Sequence, residues 1–129
     1  MKYVYKKSDV DAYYGKNPDR ILRVWIDATK GPEKISCGST EIPVGSMLPW
    51  HSHEAEEEMM FVYKGTGVAE TETGEKFDLE PETAVYMPPG LKHTFHNTGD
   101  EPLCFAFFYA PPGPEQGVFK LEKMESEDK

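Results

Sequence analysis

Apolar and polar positions along the chain change places at short range, and nowhere do they settle into a sustained helical period. RILRVWID, at 20–27, is a β-rich run stopped by a turn at Gly31 and Pro32. ISCGSTEIPV is a second run and ends at Gly45. Beyond it, LPWHSH, EEMMFVYK, VAETE, FDL, TAVYM, HTFHN and LCFAFFYA are separated by EAE, GTG, TGEK, EPE, PPG and TGDEP. Short strands at this spacing predict an all-β sandwich or barrel. The first nineteen residues, rich in Tyr and Lys, read as an arm with one short helical turn opened by Ser8. The stretch 121–129 reads as a polar, frayed tail.

The chain has 129 residues, which is the size of one domain with one ordinary core. Fourteen basic against 23 acidic side chains give a net charge of −9, and Arg20 and Arg23 are the only arginines. No basic stripe is available to follow a phosphate backbone, so nucleic acid is excluded as a partner. Without a leader-like apolar block or a run long enough to cross a bilayer, the expectation is a soluble cytoplasmic protein that does not bind membranes. Cys37 and Cys104 are too few for a disulfide scaffold and read as reduced core residues.

All four histidines fall in two tight pairs, His51 with His53 and His93 with His96. Alternate residues of a strand share a face, so His51 and His53 point the same way about 7 Å apart and can converge on one metal ion. A carboxylate opening the next strand could join them. Phase alone leaves both candidates open, because Glu58 shares a face with Met60 and Val62, and Glu57 with Met59, Phe61 and Tyr63. His93 is a better third imidazole than His96, since it follows the PPGLK turn with Phe95 and Asn97 on its own face. Three imidazoles and one carboxylate suit one divalent transition metal, Fe, Mn, Ni or Zn, with positions left for water or substrate.

Residues 45–65, GSMLPWHSHEAEEEMMFVYKG, resemble the first motif of the cupin superfamily: Gly, five residues, His-x-His, four residues, Glu, six residues, Gly. Residues 88–97, PPGLKHTFHN, resemble its second motif, Pro-x-Gly, two residues, His, three residues, Asn. One departure is Glu82, which stands where the family has a glycine six residues before Pro88. The resemblance, over residues 35–112, is to a small RmlC-like cupin. It implies a double-stranded β-helix (jelly-roll) barrel whose metal is held by His51, His53, Glu58 and His93, and so selects Glu58 over Glu57.

The expected organisation is an N-terminal arm and first strand at 1–34, a barrel core at 35–112 and a partly disordered C-terminal extension at 113–129. Bulky residues of the first segment, Tyr13, Tyr14 and Trp25, predict a homodimer in which this region packs against or pairs with the partner's sheet. The expected function is a small-molecule metalloenzyme of dioxygenase, isomerase, lyase or decarboxylase type. The alternative is a non-catalytic ligand-binding or sensing cupin, which the lack of room for an output domain disfavours. Glu57 and Tyr86 are the candidate general bases, with Glu57 also a possible acceptor for a ligand histidine N–H. Tyr86, Phe95, Met60 and Phe107 are candidate pocket residues, and His96 reads as a surface group. The barrel core holds no arginine, which points to a neutral, enediol-like, sugar-derived or aromatic substrate unless Arg20 or Arg23 reaches in.

Overall fold

A computed structural model describes residues 1–125. Ten strands form two sheets that face one another. They are β1 (Tyr13–Gly15), β2 (Arg20–Ile26), β3 (Ser36–Ile42), β4 (Glu57–Lys64), β5 (Gly67–Thr71), β6 (Lys76–Leu79), β7 (Thr83–Met87), β8 (His93–Asn97), β9 (Leu103–Ala110) and β10 (Glu122–Lys123). The larger sheet has the order β10-β1-β2-β3-β9-β4-β7, the smaller β6-β5-β8, and every pairing is antiparallel. This is the all-β architecture expected from the spacing of the runs, in the double-stranded β-helix form that the family resemblance implies.

The core lies between the sheets because each strand alternates apolar and polar residues. Met60 and Val62 of β4 and Phe105 and Phe107 of β9 meet Ala69, Leu79 and Phe95 of the smaller sheet. In β4 the alternation decides what spacing left open: Glu58, Met60 and Val62 are buried, while Glu57, Met59, Phe61 and Tyr63 face out. Met59, at 58% exposure, shares the outer face with Phe61, Tyr63, Tyr86 and Phe108, which are also exposed.

Three expectations change in detail. LPWHSH forms no continuous strand; only the isolated bridges Met47 to His96 and His51 to His93 appear, since Pro49 has no N–H to carry a ladder between them. The helical turn in the arm spans Lys7–Asp9 and is opened by Lys6, whose N–H donates to the Asp9 carboxylate at 2.8 Å, so Ser8 lies inside it. β1 pairs with β2 on one side and with β10 on the other, so Tyr13 and Tyr14 present no free strand edge to a partner.

The stretch after residue 112 carries structure that positions the site. A 3-10 helix, Pro114–Lys120, packs against β2 and β3, and β10 follows it into the large sheet. Of the tail expected to fray, residues 126–129 lie outside the described residues. Cys37 and Cys104 are both free thiols. Among the described residues no helix is long and apolar enough to cross a membrane.

Candidate metal centre

His51 and His93 face each other across a two-residue bridge. The His51 N–H donates to the His93 carbonyl at 3.1 Å, and the His93 N–H returns the bond to the His51 carbonyl at 2.9 Å. Their rings come within 4.3 Å between centroids. Each Nδ1 lies by a backbone carbonyl, His51 by Pro49 O at 2.7 Å and His93 by Leu91 O at 2.8 Å. A carbonyl can only accept, so both Nδ1 atoms carry the proton and both Nε2 lone pairs are left for a ligand. The acceptor expected of Glu57 is thus supplied by main chain two residues upstream of each histidine.

Glu58 enters from β4, inward-facing and 3% exposed. Its Oε1 stands 3.5 Å from His53 Nε2 and 3.4 Å from His93 Nε2. Neither contact is a hydrogen bond, and all three atoms are buried with no hydrogen-bond partner. Ligating atoms of His51, Glu58 and His93 all lie within 4.8 Å of one another. His53 adjoins this group through Glu58, with its ring 5.2 Å from that of His51 and 6.5 Å from that of His93.

Burial pushes the Glu58 carboxyl up, but the imidazoles of His53 and His93 and the charge of His51 outweigh it and hold the group down at about 2. Burial is also the main reason His51 is shifted down, toward its neutral form. An ionised carboxylate among imidazoles with free Nε2 atoms is a set of donors that suits a divalent metal.

The centre opens on a cavity of about 250 Å³ that is lined by His51 and Glu58 and, along its walls, by Leu22, Leu48, Phe105 and Phe107. Phe107 therefore keeps its expected pocket position, whereas Met60 and Phe95 belong to the core. Tyr109 was not singled out by its sequence, where it is one aromatic in LCFAFFYA. Register places it directly opposite Glu58, in the cavity wall, with its ring 4.9 Å from that of His53. Burial, followed by the charge of Glu58, drives its hydroxyl well above the usual tyrosine range, so it stays a neutral donor.

Glu57 and Tyr86 do not reach the centre, and their role as general bases is corrected. Strand alternation puts both on the outer face, where the Tyr86 hydroxyl donates to Glu57 Oε2 at 2.6 Å. His96 is also apart from the cluster, 3.1 Å from the Glu70 carboxylate on the neighbouring strand β5. The motif asparagine, Asn97, holds the end of β8 by donating to the carbonyls of Ile42 at 2.8 Å and Glu101 at 2.9 Å.

Two further groups in the cavity were invisible to motif spacing. Arg20 lines it from the first position of β2. Glu115, 2% exposed, lines it from the Pro114–Lys120 helix. The Glu115 carboxylate accepts from Ser36 Oγ, from Gly113 N at 2.8 Å and from Gln116 Nε2 at 2.9 Å. Gln116 Nε2 also donates to Asp27 at 2.9 Å, so the helix is tied to both β3 and the end of β2.

Residues 38–109 match the Cupin domain family. An uncharacterized protein of Methanocaldococcus jannaschii is 33% identical over 89 residues, covering 69% of this chain and 70% of that protein. Glucose-6-phosphate isomerase of Thermococcus litoralis is 38% identical over 74 residues, 54% of this chain and 39% of the isomerase, so the chain spans well under half of that enzyme. Among solved structures, a predicted oxalate decarboxylase from Thermotoga maritima aligns over 85% of this chain and 100% of its own. The TM-score is 0.76 at 19% identity, a likeness of fold.

Proposed function

The chain belongs to the cupin domain family, and on that footing we propose that it is a metalloenzyme holding one divalent transition-metal ion, iron, manganese, nickel or zinc, with His51, His53, Glu58 and His93. Its substrate is a small molecule bound in the adjoining cavity. The observation that carries this reading is the set of three buried ligand atoms, His53 Nε2, Glu58 Oε1 and His93 Nε2, turned toward one another without a hydrogen bond between them. Buried polar atoms left unpaired are costly, and a cation among them removes that cost.

An ion held there supplies Lewis-acid polarisation of a substrate oxygen. The chain's own residues do the rest. The Pro49 and Leu91 carbonyls fix the tautomer and tilt of His51 and His93. Glu58, kept ionised, offsets part of the ion's charge. Tyr109 presents a protonated hydroxyl beside Glu58, and the Pro114–Lys120 helix forms one wall of the cavity. Relatives named as an isomerase and a predicted decarboxylase support catalysis over ligand binding alone. The reaction falls in the isomerase, lyase, decarboxylase or dioxygenase range.

Elemental analysis of protein purified without added metal or chelator tests the reading, beside a His51→Ala/His93→Ala variant. Near-stoichiometric metal that the variant loses is the expected result. Metal-free wild-type protein, or equal metal in both, overturns it. Iron would direct substrate screens to dioxygenation, and manganese, nickel or zinc to isomerase, lyase and decarboxylase chemistry.

A further inference from the structure

Arg20 sits on the inner face of β2 with Leu22 and lines the same cavity as His51 and Glu58. Its Nη1 donates to the Pro18 carbonyl at 2.8 Å. The guanidinium lies over Gly15, its cross-strand neighbour, where a Cβ would come 2.5 Å from Nη1. Among the described residues no carboxylate forms an ion pair with it, although acidic side chains outnumber basic ones 23 to 14. A guanidinium has five N–H donors, and Pro18 occupies one. Partial burial pushes its pKa down.

The cavity has an acidic end and a basic end. Ser36, which bonds Glu115, is in register with Tyr109, and Tyr109 with Glu58, so both carboxylates belong to one row across the sheet. Ile21, next to Arg20, pairs with Glu41, five positions along β3 from Ser36, about 17 Å of strand at the usual antiparallel rise. Leu22, Leu48, Phe105 and Phe107 line the stretch between. Glu115, and Glu58 in the metal-free centre, repel an anionic group while Arg20 attracts one, and an apolar body suits the middle.

We infer that Arg20 anchors the oxyanion of an extended organic acid whose apolar body lies along the cavity and whose far end meets the His51 and Glu58 centre. Only the identity of that far end as the reacting one rests on the metalloenzyme reading. Carboxylate and phosphate monoester share the chemistry, since either matches the planar guanidinium fork. The leaning toward a neutral substrate, drawn from a barrel core without arginine, is thereby reversed: the arginine comes from the strand that precedes the core.

Isothermal titration with octanoate, octyl phosphate and 1-octanol, on chelator-treated and on metal-loaded protein, tests the anchor. Expected is at least tenfold tighter binding of one or both anions than of 1-octanol, with Arg20→Leu abolishing that preference and leaving 1-octanol unchanged. Gly15→Ala displaces the guanidinium without removing it and lowers anion affinity by at least threefold, which keeps the test decisive where Arg20→Leu does not fold. Octanoate bound alone identifies a carboxylate ligand, and octyl phosphate alone a phosphate ester. No binding, equal affinity for anions and alcohol, or anion binding indifferent to the variants overturns the anchor. Arg20-dependent binding by protein that takes up no metal on loading keeps the anchor and discards the metalloenzyme; a metal-bearing protein without anion preference does the reverse.

Discussion

Glu58 Oε1 stands 3.4 Å from His93 Nε2, both atoms buried and neither hydrogen bonded. Two strands that are not neighbours, β4 and β8, bring them together from 35 positions apart. A cation between them raises the stability of the folded state in proportion to its binding. Saturation at a hundred times Kd is worth about 2.7 kcal/mol. Thermal melting of wild-type protein therefore rises with added divalent ion and falls back with chelator. Glu58→Ala is expected to show neither change. A melting temperature that ignores both ion and chelator would contradict the ligand set.

Glu115 makes the second prediction. Burial raises its carboxyl pKa, but the Ser36 hydroxyl, the Gly113 N–H and the Gln116 amide outweigh burial and lower it. A carboxyl depressed on folding adds stability above its unfolded pKa, about 4.3, and that contribution is lost as pH falls through the lower folded value. Glu115→Gln leaves the Ser36 and Gly113 donors a weaker acceptor, and is expected to cost about 1–3 kcal/mol at neutral pH. The gap between wild type and variant, followed by urea denaturation, should close below about pH 4. A gap that widens there would show that Glu115 is not held ionised.

How far the sequence carried these conclusions depends on whether the signal was local. Strand runs, the two histidine pairs and the choice of His93 over His96 follow from period-two alternation, which acts within a few residues. The choice between Glu57 and Glu58 did not follow, because Met59, Phe61 and Tyr63 make the outer face of β4 as apolar as the inner one. Glu57 and Tyr86 looked chemical by residue type, yet their meeting on that outer face depends on β4 pairing with β7. Arg20, Tyr109 and Glu115 join the cavity through register between strands distant in the chain and through the packing of a short 3-10 helix. No spacing within a motif encodes those contacts.

The outer-face pair gives a negative control. Tyr86 is 52% exposed, and its bond to Glu57 forms in water, where such pairs contribute little. Tyr86→Phe and Glu57→Gln are expected to change stability by less than about 1 kcal/mol and to retain metal content and turnover. His96→Ala should likewise keep its metal, in contrast to His93→Ala, because the His96 ring faces Glu70. Metal lost from any of these three variants, measured by elemental analysis, would place the centre elsewhere.

Glu82 stands where the family motif has glycine, and the backbone there keeps the glycine conformation, with φ at +65°. Its N–H donates to the Val62 carbonyl at 2.8 Å, which fixes the turn entering β7 beside the strand that carries Glu58. A left-handed conformation costs a residue with a Cβ roughly 1–2 kcal/mol. Glycine relieves that strain but returns about 0.4–1 kcal/mol through the greater freedom of its unfolded chain. Glu82→Gly should therefore stabilise the protein by about 0.5–1 kcal/mol, with the urea midpoint moving up and the slope unchanged. The turn stays in place, so metal content stays as well. A lower midpoint would mean that the glutamate side chain contributes more than its backbone strain removes.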